Sequence, residues 1–238
     1  MIEVSPAPYA DGAAQLNGLV AVDTAKSGKR PGVLVFYEAP GMADHPRRRI
    51  NMLAELGYVG FAADVFGDGQ VLMGDPATTR LQKFFQTPGL MRSRVLASYQ
   101  AIKARPDVDP DRIGVIGYCM GGTCMLELAR AGAEFAGGVG FHSGLAPRTD
   151  TAPGTVKAKL LVCIGNADPL IPPNDVAAFQ KEMSGAKADY QIVTYGDVGH
   201  SFTNKDIPPG WREGFSYHEA SDRRSWIAMR DFFNEVFA

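Results

Sequence analysis

Short, continuously apolar runs recur along this chain, and longer segments with helical spacing separate them. A strand that is covered on both faces has such an unbroken apolar run, because neither face meets water. Six runs predict strands, at 32–38, 58–63, 112–116, 138–141, 159–164 and 190–195. Helical spacing predicts helices at 46–56, 89–104, 120–131, 174–184 and 219–236. This alternation predicts an α/β fold with a mostly parallel central sheet and helices on both faces.

The chain is interpreted as one domain that spans residues 1–238. It contains no internal repeat or low-complexity tract, and its proline and glycine clusters at 150–155 and 207–210 are typical of loops. A further strand near residues 18–22 is expected to pair antiparallel at an edge of the sheet. The segments 64–88 and 143–156 are predicted to be long loops that shape a site.

Composition and charge exclude several classes of function. The 24 basic and 26 acidic side chains give a net charge of −2 without a run of one sign, which argues against nucleic acid or a membrane as partner. The apolar runs are far shorter than the roughly 20 residues of a membrane span, and the amino terminus lacks a signal-peptide pattern. Three cysteines indicate a reducing, cytoplasmic location. No metal-site or cofactor motif is present, so neither is expected, and the oligomeric state is not predicted.

The segment Ile113–Gly122 carries the strongest functional signal. A predicted strand runs into a glycine-flanked turn with Cys119 at its centre, and a predicted helix follows directly. This is the Gly-x-nucleophile-x-Gly elbow, in which Gly117 and Gly121 allow the turn to close. The amino end of the helix stabilises a thiolate and a developing oxyanion. The structural alternative is a small buried cysteine in a glycine-rich turn.

A nucleophile of this kind needs a base and a group that orients the base. Asp168 follows the predicted strand 159–164, and His200 follows the strand 190–195, which gives the α/β-hydrolase order of nucleophile, acid and histidine. Two other histidines fit this role less well, because His45 precedes the nucleophile and His218 opens the last predicted helix. Asp197 remains an alternative acid, and Asp168 by itself also fits an ordinary Asp-Pro turn.

Four other residues have side chains with relevant chemistry. Glu38 closes an apolar strand, where an ionised carboxylate must find a partner; the alternative is an exposed strand end or a salt bridge. His142 ends a strand between the nucleophile and the acid, so it is expected to line a pocket. Cys124 and Cys163 match no motif and are interpreted as thiols of the core.

Together these motifs resemble the dienelactone hydrolase family of α/β-hydrolases. The resemblance runs from about residue 15 to residue 236 and is most specific in the elbow Gly-Tyr-Cys-Met-Gly-Gly and in Gly-His-Ser-Phe. It implies an α/β-hydrolase fold in which Cys119 is the nucleophile, His200 the base and Asp168 its orienting acid.

The same resemblance covers the strand end Phe36–Gly41. In the family this segment carries a glutamate followed by an oxyanion-hole residue. The resemblance therefore implies that Glu38 contacts the resting thiol and that the backbone N–H groups of Ala39 and Met120 bind the oxyanion.

One departure from the family bears on the substrate. The resemblance implies that members acting on dienelactone hold its carboxylate with two arginines. Arg80 is a candidate for the first, with a solvated arginine as the alternative, and the second position, four residues after His200, is the neutral Asn204. We therefore expect a substrate that is less anionic or larger than dienelactone.

These observations predict an enzyme that hydrolyses a small-molecule ester or lactone through a thioacyl intermediate. Thioester hydrolysis or acyl transfer by the same triad is an alternative. A non-catalytic hydrolase-fold protein whose thiol senses oxidants is an alternative from another class. The order of the triad residues argues against the sensor, because a sensor needs neither the acid nor the histidine.

Overall fold

The computed structural model describes residues 1–67, 69–147 and 151–238. Asp68, in the predicted loop 64–88, and residues 148–150, in the predicted loop 143–156, lie outside the described residues. The described chain forms two compact units, residues 1–115 and 116–238, so the single domain over residues 1–238 stays a prediction. The elements are β1 (Ile2–Asp11), β2 (Ala14–Asp23), β3 (Arg30–Phe36), α1 (Asp44–Glu55), β4 (Val59–Ala62), α2 (Gly74–Gln86), α3 (Leu90–Lys103), β5 (Val108–Tyr118), α4 (Met120–Arg130), β6 (Gly137–Phe141), β7 (Lys159–Gly165), α5 (Pro173–Gly185), β8 (Tyr190–Tyr195) and α6 (Glu219–Val236).

In the first unit the strands lie in the order β1-β2-β4-β3. β1 pairs with β2 and β2 with β4 in antiparallel fashion, whereas β3 and β4 are parallel. The register places Gly32 beside Val59, so Gly32 and Gly60 face opposite sides of the sheet. A side chain on Gly32 would collide with Ile102 of α3, and one on Gly60 with Ile50 of α1. Helices therefore pack closely on both faces.

In the second unit helices also pack on both faces of the sheet, and the paired strands are parallel. β6, β7 and β8 are neighbours in that order, and both pairs are parallel. The consecutive glycines Gly137 and Gly138 face opposite sides of β6. A side chain on Gly137 would collide with Phe232 of α6, and one on Gly138 with Met125 of α4. Because parallel strands end at the same edge of a sheet, the segments that follow β6, β7 and β8 lie near one another.

The predicted strands and helices are confirmed, and two further elements were missed. The strand β1 was not predicted. Helix α2 lies within 64–88, which the sequence analysis wrongly took as a loop throughout. Pro76 lies in the first turn of this helix, where its missing N–H costs little. Only Ala77 and Phe84 of the helix are buried, so its apolar periodicity is weak. None of the described helices is both long and apolar enough to cross a membrane.

Candidate active site

Cys119 is the single residue between the end of β5 and the start of α4. Its φ of 54° and ψ of −120° lie in a region that residues with side chains rarely adopt. The N–H of Cys119 donates to the carbonyl of Phe141 at 3.0 Å, and its own carbonyl accepts the N–H of Gly122 at 3.0 Å. These bonds fix the cysteine at the amino end of a helix, in the geometry expected of a nucleophile elbow.

The glycines of the elbow are required by close backbone packing. A Cβ atom on Gly117 would overlap the carbonyl group of Gly121, and one on Gly122 would overlap the side chain of Ser143. The sequence analysis identified the first of these positions. The second depends on a residue that follows β6, so a local pattern does not reveal it.

The three cysteines differ in exposure, and only Cys119 is partly exposed. Burial raises the pKa of Cys124 far above its usual range. Burial also raises the pKa of Cys163 to about 12, although a hydrogen bond from Tyr195 opposes the shift. The prediction that Cys124 and Cys163 are thiols of the core is confirmed, and Cys119 is the cysteine accessible to a reactant.

Asp168 and His200 meet at the ends of β7 and β8. Asp168 Oδ2 and His200 Nδ1 are 2.7 Å apart, and both side chains are buried. The other carboxylate oxygen, Oδ1, accepts the N–H of Leu170 at 2.8 Å, which fixes the orientation of the carboxylate. The alternative acid, Asp197, is exposed, and its N–H donates to Asn166 Oδ1 at 2.7 Å.

Backbone hydrogen bonds hold the histidine loop in place. The N–H of Ala167 donates to the carbonyl of Val198 at 3.0 Å, which ties the aspartate turn to the histidine loop. His200 donates its N–H to Gly214 at 2.6 Å and accepts the N–H of Ser216 at 3.1 Å. Among the described residues, positive φ values at residues with side chains occur at Lys187 and, near the site, at Cys119, His142, Asp197 and Ser201. Backbone strain of this kind is common at functional sites.

The charge state of His200 follows from its neighbours. Burial lowers its pKa, but the negative charge of Cys119, hydrogen bonds to Asp168 and Cys119 and the negative charge of Asp168 together outweigh burial and raise the pKa from 6.5 to about 10. Because Nδ1 faces Asp168, Nε2 is the nitrogen directed toward the Cys119 sulfur. A protonated imidazole with Nε2 available for a reacting group is what a general acid requires.

This raised pKa predicts how stability changes with pH. The folded protein holds the His200 proton more tightly than the unfolded chain, so the stabilisation is complete below pH 6.5 and is lost as the pH rises through about 10. We expect this group to lower the free energy of unfolding by at most about 1.4 kcal/mol per pH unit in that range. Denaturant unfolding of the wild type and of His200→Gln between pH 6 and pH 10 measures the difference. Equal slopes in the two proteins would contradict the shift.

Other side chains in the second unit surround His200. The ring centroids of His142 and Phe215 lie 5.0 Å and 4.8 Å from that of His200, and His142 Nε2 is 2.8 Å from Thr203 Oγ1. Asn204 is buried, and its Oδ1 accepts the N–H of the residue two positions later at 3.0 Å. Substrate contacts of His142 and Asn204 stay predictions. Phe215 was not predicted from sequence, because its position depends on the loop around Gly214 that bonds to the backbone of His200.

Arg80 lies in the first unit, on α2. Its guanidinium donates to the carbonyl oxygens of Ala39 at 3.2 Å, Pro40 at 3.0 Å and Gln70 at 3.0 Å, and it stacks 4.1 Å above the ring of Phe66. These contacts brace the segment after β3 that carries Ala39. They favour a positioning role over the substrate contact expected from sequence, which stays a prediction.

Glu38 lies two residues after that strand and is buried with a partner. Its Oε2 lies 3.2 Å from Nδ1 of His45, in the first turn of α1. Nε2 of His45 in turn accepts the Nε–H of Arg49 at 3.1 Å. The contacts of His45 were not predicted, because His45 precedes the nucleophile in the chain. The signal in the sequence is the spacing of His45 and Arg49, which are four residues apart and therefore share one helix face.

The sequence pattern that defines the dienelactone hydrolase family matches residues 16–237 of this chain. The chain belongs to the dienelactone hydrolase family. It is similar to a solved dienelactone hydrolase-like promiscuous phosphotriesterase from metagenomic libraries, with 37% identity, a TM-score of 0.95 and coverage of 100% of this chain and 99% of that one. An uncharacterised protein of Caenorhabditis elegans is 31% identical over 63% of this chain and 96% of its own length. A Salmonella typhimurium protein named as a candidate carboxymethylenebutenolidase is 28% identical over 88% of this chain and 78% of its own.

Membership of the dienelactone hydrolase family confirms the family resemblance and the α/β-hydrolase fold expected from sequence. It also confirms the predicted enzyme class, a hydrolase of esters or lactones.

Proposed function

We propose that this chain hydrolyses activated carboxylic esters or lactones through a thioester on Cys119. The observation that carries the proposal is the 2.7 Å contact between Asp168 and His200 in the same unit as the cysteine elbow. The negative charge of Cys119 is among the causes that raise the pKa of His200, so the sulfur and the imidazole interact directly. A nucleophile, a base and a group that orients the base are the parts that covalent catalysis requires.

Acylation uses the thiolate and the imidazolium together, which form when the Cys119 thiol transfers its proton to His200 Nε2. The Cys119 sulfur bonds to the carbonyl carbon of the substrate, and the carbonyl oxygen becomes an oxyanion. The N–H of Met120, at the amino end of α4, is proposed as one oxyanion donor, and the N–H of Ala39 as the second. The bond to the leaving oxygen then breaks, and the departing alkoxide takes the proton from His200 Nε2.

Deacylation reverses the direction of proton transfer. Formation of the thioester removes the thiolate charge, which is one of the causes that raise the pKa of His200. The neutral imidazole is then a better base and accepts a proton from water as the water oxygen attacks the thioester carbon. The carbon–sulfur bond breaks, which releases the carboxylic acid and restores the thiolate and the imidazolium.

A burst experiment tests the proposal against the thiol sensor. With p-nitrophenyl acetate we expect a burst of nitrophenolate followed by steady turnover, and loss of both after Cys119 is alkylated with iodoacetamide. A sensor would show no turnover. Thioester hydrolysis or acyl transfer is favoured instead if acyl thioesters are cleaved, or acyl groups passed to added alcohols, faster than esters are hydrolysed.

The two candidate carboxylate-binding positions favour a neutral substrate. The guanidinium of Arg80 donates to three backbone carbonyls, and the carboxamide of Asn204 is held in a buried turn. A charge-assisted hydrogen bond to a carboxylate contributes about 1.5–3 kcal/mol. The lack of one such contact is expected to weaken the binding of dienelactone by roughly tenfold or more, at 1.4 kcal/mol per decade. We therefore expect a higher kcat/KM for neutral p-nitrophenyl esters than for dienelactone. A preference for dienelactone would contradict this prediction.

Hydrolysis of neutral phosphotriesters is a second candidate activity. It is favoured by the similarity to the phosphotriesterase, which is 37% identical over the whole of this chain. A diethyl p-nitrophenyl phosphate assay with the wild type and Cys119→Ala tests whether the same nucleophile serves it.

We also propose a cytoplasmic location and activity without a metal or cofactor. The cytoplasmic location is proposed because the three cysteines are free thiols. Activity without a metal or cofactor is proposed because the sequence contains no motif for binding either. Activity that survives treatment with EDTA followed by desalting is the expected result.

A further inference from the structure

Three side chains form a buried chain of hydrogen bonds in the first unit. Glu38, His45 and Arg49 are 6%, 2% and 4% exposed. Glu38 Oε2 is 3.2 Å from His45 Nδ1, and Arg49 Nε is 3.1 Å from His45 Nε2. Glu38 lies two residues after β3, whereas His45 and Arg49 are four residues apart on α1. The histidine therefore lies between the carboxylate and the guanidinium.

The direction of each hydrogen bond follows from the chemistry of arginine. A guanidinium donates hydrogen bonds and cannot accept them, so His45 Nε2 must offer a lone pair to Arg49. The proton of a neutral imidazole then lies on Nδ1, which donates it to Glu38. If both ring nitrogens of His45 carried protons, the Nε2–H would point at the Nε–H of Arg49, and two donors would face each other without an acceptor. The chain thus selects one neutral tautomer of His45.

The same chain balances two buried charges. Burial of an isolated carboxylate or an isolated guanidinium lowers the stability of the folded state, because the charge loses its hydration. Hydrogen bonds to a group of opposite charge offset this loss. Arg49 supplies one positive charge and Glu38 one negative charge, and the neutral His45 connects them. An arginine remains charged at every pH at which a protein is folded. The arrangement therefore favours an ionised Glu38 with a fixed orientation.

We propose that His45 and Arg49 are positioning residues that hold Glu38 ionised and oriented just after β3. The inference rests on the proposed function together with the role that the family resemblance implies for Glu38, which is to act on the resting Cys119 thiol. A like charge at that thiol would disfavour its ionisation, so a fixed Glu38 carboxylate would restrain the thiol until substrate binds. His45 and Arg49 act through Glu38 and need no contact with the substrate.

NMR of the imidazole nitrogens tests the chain without reference to activity. The protein contains four histidines, so labelling with ¹⁵N-histidine gives few signals, and His45→Gln identifies those of His45. We expect His45 in the wild type to be the neutral Nδ1–H tautomer. Arg49→Met should move it to the other tautomer, to a mixture or to the protonated form. A wild-type His45 that carries its proton on Nε2, or an unchanged Nδ1–H tautomer in Arg49→Met, would overturn the proposal.

The rate of Cys119 alkylation by iodoacetamide provides the functional readout. We expect Glu38→Gln, His45→Leu and Arg49→Met each to raise this rate about tenfold, since each removes or releases the like charge. Adding His45→Leu to Glu38→Gln should produce no further change, because both substitutions act on one group. His45→Gln keeps one donor and one acceptor and should restore most of the wild-type rate. Arg47→Met, at an exposed arginine of the same helix, is the matched control and should leave the rate unchanged.

The two readouts separate failure of this inference from failure of the proposed function. If Cys119→Ala retains full esterase activity while the NMR result holds, the proposed function fails and the chain of hydrogen bonds stands. If Cys119 is the nucleophile but the effects of His45→Leu and Glu38→Gln on alkylation are additive, the positioning role is overturned. Circular dichroism of each variant excludes unfolding as the cause of a faster alkylation.

Discussion

Replacing Cys119 or His200 by alanine is expected to lower kcat/KM for a neutral p-nitrophenyl ester by a factor of about 10³ or more. Without the sulfur no thioester forms, and without the imidazole neither the alkoxide nor water exchanges a proton. Because the two residues act as one unit, the double variant should be little slower than either single variant. Initial rates with purified proteins, after a check of folding by circular dichroism, measure the effect.

Two further variants serve as controls for this prediction. Cys119→Ser should also be slow, because an alcohol is much harder to deprotonate than a thiol. Cys163→Ala removes a buried thiol and should change the rate only slightly. A Cys119→Ala protein with rates near those of the wild type would show that another residue is the nucleophile.

Asp168→Asn is expected to lower kcat by roughly 10³–10⁴ with little change in folding, the size of effect seen when a triad histidine is held in the wrong tautomer. Asp168 Oδ1 accepts the N–H of Leu170, and Oδ2 faces His200 Nδ1. In the asparagine variant the oxygen keeps the bond to Leu170, so the amide NH₂ faces the histidine. His200 Nδ1 must then accept a hydrogen bond from this NH₂ group, so the proton of the neutral imidazole moves to Nε2. A general base needs a lone pair on Nε2, so this tautomer is inactive.

Asp197→Asn is the matched control for this substitution. Asp197 was the alternative acid from sequence, but it is exposed and lies in the loop that precedes His200. We expect Asp197→Asn to retain activity within about threefold of the wild type, as is usual for surface substitutions that change stability little. A large loss in Asp197→Asn together with a small loss in Asp168→Asn would reverse the two roles.

The parts of the fold and site that could be predicted from sequence are those encoded locally. Buried parallel strands appear as apolar runs because both faces are covered. The elbow at Cys119 appears as glycines at fixed positions because backbone groups crowd it. Asp168 and His200 could be found because each lies in the turn or loop after a predicted strand, and parallel strands bring such segments to one edge.

The parts that were missed depend on contacts between distant segments or on weak patterns. Helix α2 begins among glycines and buries only two side chains, so its sequence resembles a loop. The guanidinium of Arg80 binds carbonyls about 40 residues away along the chain, at Ala39 and Pro40, and no local pattern predicts that. The sequence indicated that Glu38 needs a partner. That this partner is His45 could not be predicted, because it depends on where α1 lies relative to β3.

An acid quench of the wild-type enzyme during turnover of p-nitrophenyl acetate, followed by intact mass and peptide analysis, tests the central claim most directly. We predict one added acetyl group per chain, located on the peptide that contains Cys119 and absent from Cys119→Ala. We also predict that Asp168→Asn accumulates the same adduct more slowly, because its histidine is in the wrong tautomer. An enzyme that turns over while every cysteine remains unmodified would contradict a thioester mechanism at Cys119.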